Sequence, residues 1–100
     1  MSITPKDFRS IGQYKYVRFS NDKVVFCVTT DVSQTHRRLV DEYPELIPVS
    51  AGKIQVNNGR WNVIEKGSYS AKIGWGADDE DAIQNELGNN FVFDYDMLSY

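Results

Sequence analysis

The chain has 100 residues, 14 acidic and 11 basic side chains, one histidine and one cysteine, a length that makes one domain around one core. A net charge of −3 argues against a duplex nucleic-acid binder working by bulk charge. No window approaches membrane-span length and the stretch from Met1 to Asp7 has no apolar signal core, so the expectation is a soluble, cytoplasmic protein with no membrane partner.

Thr4-Pro5-Lys6-Asp7 opens like a short helix, with a capping threonine, proline in the first turn, Ile3 and Phe8 placed as a staple, and Gly12 able to end it. Tyr14 to Phe19 and Val24 to Thr29 read as a strand pair around the turn Ser20-Asn21-Asp22-Lys23. Both runs carry apolar residues on both faces, which predicts a pair well inside the sheet. Cys27 lies in the apolar run of the second, where a buried, inert thiol is expected; it has no second cysteine to bridge.

Asp31 to Gln34 has capping-box spacing, and Val32, His36, Leu39 and Tyr43 follow at helical intervals until Pro44, predicting a helix over 32–43 with His36 on or beside its buried stripe. A short strand is expected over 46–49, a turn at Ser50-Ala51-Gly52, and a hairpin of Lys53–Val56 with Arg60–Ile64 around Asn57-Asn58-Gly59. Tyr69, Ala71 and Ile73 alternate with Ser70 and Lys72, which predicts another strand. Gly74-Trp75-Gly76 reads as a flexible corner. A second helix over 79–87 takes its apolar contacts from Ala82, Ile83 and Leu87 and ends at Gly88, before a last strand at Phe91-Val92-Phe93. The fold class is α+β: a single mixed or largely antiparallel sheet with two main helices packed on it.

Few residues carry chemistry. His36 is the only imidazole, and an unperturbed histidine can take a proton from water near neutrality. Its bland reading is a core-edge histidine whose polar tip finds water or a backbone carbonyl. One cysteine and one histidine on distant elements do not make a zinc site, and Asp78 to Asp81 read as carboxylates complementing a helix dipole rather than as a cation site. No cofactor fingerprint is present: Gly74-Trp75-Gly76 lacks the third glycine of a dinucleotide motif, and Ala51-Gly52-Lys53 is not a P-loop. Trp75, between two glycines, is expected to be more exposed than Trp61 and is a candidate partner contact. The aromatic set of Tyr14, Tyr16, Phe19, Trp61, Tyr69 and Trp75 could also stack bases of a single strand, though core packing explains most of it.

Over about residues 13 to 95 the order of landmarks resembles the phosphohistidine phosphatase family, the Janus/Ocnus proteins. The similar pieces are Gln13-Tyr14-Lys15-Tyr16-Val17, Thr35-His36-Arg37-Arg38-Leu39, Ala51-Gly52-Lys53-Ile54 and Tyr69-Ser70-Ala71, then a glycine corner, a helix and a last strand. Lys53 stands where the family has arginine, and its glycine triplet is here Ser50-Ala51-Gly52. The resemblance implies His36 as general base toward water attacking phosphorus, with no metal or cofactor. It implies Lys15 and Lys53 offsetting charge on the phosphoryl oxygens, Ser70 donating a hydrogen bond, and the Ser70–Ala71 backbone holding phosphate. Its substrate would be a phosphohistidine or phospholysine on protein; Asp78 and Asp79 just beyond the site would oppose such a dianion.

The competing expectation is a non-catalytic acidic interaction module that meets a protein partner through the Trp75 corner, the Asp-rich helix start and the tail. Two placements separate the readings. Catalysis needs Lys15 on the face of the sheet that carries His36, with Lys15 near the strand's end. It also needs His36 opening into a shallow pocket, and an imidazole tucked against the sheet, or Lys15 on the far face from it, would be enough to drop the catalytic reading.

Overall fold

The computed structural model describes residues 2–30, 35–68 and 71–95. In chain order these form a 3-10 turn (Pro5–Asp7), β1 (Ile11–Phe19), β2 (Val24–Val28), α1 (His36–Asp41), β3 (Pro48–Asn57), β4 (Arg60–Lys66), α2 (Asp79–Leu87) and β5 (Val92–Phe93). The strands make one mixed sheet in the order β2-β1-β3-β4-β5, antiparallel as far as β4 and parallel between β4 and β5. The α+β class follows. No helix among the described residues is long and apolar enough to cross a membrane.

Local chemistry accounts for the turns. Asn58 and Gly59 take φ of 50° and 82° between Asn57 and Arg60, the two left-handed positions of a tight hairpin. At the β1–β2 turn Asp22 is also left-handed, and the Asn21 side chain accepts from the backbone N–H of Lys23 at 3.0 Å. Gly88 closes α2 with φ of 83°.

Residues alternate between two buried clusters along β1 and β2. Tyr14, Tyr16, Val24 and Phe26 join Ile54, Val56, Trp61, Ala82, Ile83 and Leu87, while Val17, Phe19, Val25 and Cys27 join Ala51 and Leu39. This period of two, with apolar residues on both sides, is what a sheet covered on both faces requires. Trp61 is fully buried, and its ring meets Phe93 edge-on at 4.9 Å between centroids. Burial of a side chain of this kind contributes about 1.5–3 kcal/mol.

Several expectations are corrected. The opening helix is only a 3-10 turn, and Gly12 lies inside β1, which starts at Ile11, so Lys15 sits mid-strand rather than near an end. The β1–β2 pair is not interior as a pair: β2 is an edge, paired outward among the described residues only through the bridge of Ile3 with Phe26. The expected strand at 46–49 and the hairpin arm at 53–56 are one strand, β3, and Ser50-Ala51-Gly52 is not a turn. Ser50 and Ala51 are fully buried. A Cβ on Gly52 would run into the backbone oxygen of Glu65 and lie 2.9 Å from the Tyr16 ring. These small residues serve close approach in a central strand rather than a reversal.

The described part of the first main helix is the six residues of α1, capped by the Thr35 hydroxyl accepting from Arg38 N at 3.1 Å. The capping box expected at Asp31–Gln34 and the contact from Val32 lie outside the described residues. No strand covers 71–73: Ser68 and Ile73 form an isolated antiparallel bridge, and Ala71 and Lys72 turn between them with Lys72 at φ 54°. Tyr69 and Ser70, between these, lie outside the described residues, as does the tail from Asp96.

Candidate functional site

His36 is the first residue of α1 and is held against β3. It is 5% exposed, and its Nε2 lies 2.6 Å from the carbonyl oxygen of Gly52. A carbonyl can only accept, so Nε2 carries the proton and the neutral ring keeps its lone pair on Nδ1. Burial pushes the imidazole pKa below its ordinary value; the bond to Gly52 opposes that shift, Lys15 and Lys53 add to it, and Glu65 offsets part of it.

Those three charges stand in a row across the sheet. Lys15 of β1 pairs with Lys53 of β3, which pairs with Glu65 of β4, and Lys53 Nζ lies 3.1 Å from Glu65 Oε2. Paired residues of an antiparallel ladder project to the same side, neighbouring strands being about 4.8 Å apart. Lys15 and Lys53 alternate with Tyr16 and Ile54, whose side chains belong to the Trp61 cluster; the lysines share the other face with Val17, Ala51 and Leu39. Lys15 is therefore on the face that carries α1 and His36. The β3–β4 register shifts between Lys53 and Ile54, so the row lies beside a bulge, a feature that re-aims side chains.

On the opposite face stands a buried ionic network with no counterpart in the sequence reading. Asp79, the first residue of α2, is 0% exposed. Its Oδ2 accepts from the Tyr16 hydroxyl at 2.7 Å and from Gly76 N at 3.4 Å. Its Oδ1 accepts from Ser50 Oγ at 2.5 Å and from Arg18 Nε at 2.9 Å. Arg18 also donates to Asp22 at 2.9 Å. The expectation that Asp79 opposes a dianion is thereby corrected: its charge faces Arg18, across the sheet from His36. Gly76 is part of the fit, since a Cβ there would lie 2.8 Å from Asp79 Oδ1. The signal for Asp79 was one acid among four at a helix start; nothing local marks it as the one that turns inward.

The remaining candidates lie elsewhere. Ala71 is half-buried in the turn, its N–H donating to Ser68 Oγ at 3.3 Å, and Ser70 is outside the described residues. Trp75 is half-buried, more exposed than Trp61 as the glycine-flanked corner predicted. It packs against the Tyr16 cluster, and Lys66 Nζ lies over its ring, 4.9 Å from the centroid.

No family model matches this chain, and no curated protein or solved structure is significantly similar to it.

Proposed function

We propose that this is a non-catalytic acidic interaction or regulatory module on a fold similar to that of the phosphohistidine phosphatases. The observation that carries the reading is the placement of the only imidazole: His36 is 5% exposed, its Nε2 is occupied by the Gly52 carbonyl, and Lys15 sits mid-strand. A general base must lie within hydrogen-bond reach of the attacking water, and a histidine tucked against the sheet does not meet that requirement. A core-edge histidine whose polar tip finds a backbone carbonyl accounts for the bond to Gly52. α1 and α2 pack on opposite faces of the sheet, as the two buried clusters support.

The alternative is a phosphatase that hydrolyses phosphoramidates on protein with His36 as general base, favoured by one specific observation: His36, Lys15 and Lys53 gather on one face. The two readings separate in a kinetic test on a phosphohistidine peptide. The phosphatase predicts that His36→Ala abolishes phosphate release with the fold retained, and that Lys15→Ala and Lys53→Ala raise KM more than they lower kcat. Absence of release by the unaltered protein leaves the interaction module.

A further inference from the structure

The outer edge of β2 is covered by a segment too short to fill it. β2 reads Val24-Val25-Phe26-Cys27-Val28, without charge, proline or glycine, and such an edge invites another strand unless it is blunted. In an antiparallel sheet alternate residues turn their backbone groups to alternate neighbours. Those of Val24, Phe26 and Val28 point outward, since Phe26 O accepts from Ile3 N at 2.8 Å and Val24 N donates to Glu86 Oε1 at 3.4 Å.

Segment 2–4 crosses this edge instead of running along it. Ser2 N donates to Glu42 Oε1 at 3.3 Å, and the Ser2 and Tyr43 hydroxyls lie 2.9 Å apart. Ile3 bridges Phe26 and packs against the Trp61 cluster. Thr4 N then donates to Asp7 Oδ2 at 3.1 Å, which turns the chain off the edge into the 3-10 turn. Ile3 walls two cavities along the edge, one of about 210 Å³ that reaches Lys23 and Val24 and one of about 270 Å³ that reaches Val28 and Gln13.

Resting on the interaction-module reading, we infer that the β2 edge is the partner site, that it takes an extended peptide by antiparallel strand addition, and that segment 2–4 holds it closed in the free protein. The segment is itself the template for the occupant: a backbone N–H on Phe26 O and an aliphatic side chain against the Trp61 cluster. A peptide of five residues, at about 3.4 Å each, runs the length of β2. It replaces the bond and the contact of Ile3 and adds backbone pairing at Val24 and Val28. One cavity carries Lys23 and Glu86 and the other Arg9 and Asp7, an acid and a base in each, so the edge suits a segment without net charge.

The probe is a fluorescein-labelled heptapeptide of alternating threonine and valine with isoleucine at its centre, which sets its apolar side chains on the face of Val24 and Phe26. Fluorescence anisotropy gives its affinity for the unaltered protein and for Ile3→Asp, whose carboxylate cannot rest against the apolar cluster. Amide exchange at Val24, Phe26 and Val28 locates the bound peptide. The variant is expected to bind about tenfold more tightly or better, because the bond and apolar contact of Ile3 no longer compete, with exchange slowed along β2. Tyr43→Phe, which removes only the hydroxyl that meets Ser2, should shift affinity the same way by a smaller factor, and it carries the test if Ile3→Asp does not fold. Equal affinity for all three proteins overturns the closure by segment 2–4. Binding without slowed exchange on β2, or no binding by a folded variant, overturns the site. None of these results touches the module reading, which fails instead if the unaltered protein releases phosphate from a phosphohistidine peptide and His36→Ala does not.

Discussion

Gly52 serves His36 and Tyr16 from opposite sides of the sheet: its carbonyl oxygen lies 2.6 Å from His36 Nε2, and its missing side chain leaves the space that the Tyr16 ring occupies. The orientation of the only imidazole thus depends on a strand residue that cannot carry a Cβ. Gly52→Ala would press on the Glu65 backbone as well as on the ring. It is expected to cost about 1–3 kcal/mol or more, as overpacking does. Denaturant unfolding measures the cost, and a neutral substitution would mean that the close approach is not a constraint.

The network around Asp79 ties the start of α2 to β1 and β3. Removing one partner of a buried ion pair strands the other, so Asp79→Ala is expected to destabilise by about 3–5 kcal/mol. Asp79→Asn keeps one acceptor oxygen and replaces the other with an NH2 that can donate to a hydroxyl of Tyr16 or Ser50, so it should cost less. Equal effects from the two variants would place the whole cost in the lost charge opposite Arg18, and an Asn variant as stable as the unaltered protein would show that the charge contributes nothing.

Tyr16 adds a pH signature. Burial, then the hydrogen bond and charge of Asp79, hold its hydroxyl far above the usual tyrosine range. A group whose folded pKa is raised contributes stability that is complete below its unfolded pKa and is lost as pH rises above it, here from about pH 10 upward. Tyr16→Phe should flatten that alkaline loss. An unchanged alkaline slope in the variant contradicts the assignment.

His36 acts at the other end of the scale. Its folded pKa lies below the ordinary 6.5, so between the two values the unfolded chain binds a proton that the folded protein does not. Stability should therefore fall as pH drops below about 6.5 and level off below the folded pKa. His36→Gln, whose amide can still donate to Gly52, should remove this part of the acid dependence. Stability curves at several pH values check it, and a variant retaining the full slope would place the acid loss on the carboxylates instead.

What the sequence revealed follows from the range of the forces involved. The Asn58-Gly59 turn, the bounds of α2 and the alternation along β1 are set by neighbours a few residues away, and they were legible. Ser50-Ala51-Gly52 was misread because small residues mark either a reversal or a place where other chains come close. Only the Tyr16 ring and the Glu65 backbone decide which. Asp79 was hidden among Asp78, Glu80 and Asp81 because its partners Tyr16, Arg18 and Ser50 are distant in sequence. In the candidate site Lys15, His36 and Lys53 were named from their order along the chain, and the common face of the two lysines depends on the β1–β3 register, which is set over distance. The decisive acceptor, the Gly52 carbonyl, is a backbone atom that no residue type announces.

The central claim is that His36 holds the fold through Gly52 and is not a general base toward a phosphoramidate. The most direct measurement is the single-turnover rate of phosphate release from a phosphohistidine peptide by the protein and by His36→Gln, both with a chelator present. The variant keeps a donor toward Gly52 and loses only the base. Release by neither protein, or equal rates, is the predicted result; release by the unaltered protein that falls about 10²–10⁴-fold in the variant, the usual worth of a positioned general base, would contradict it.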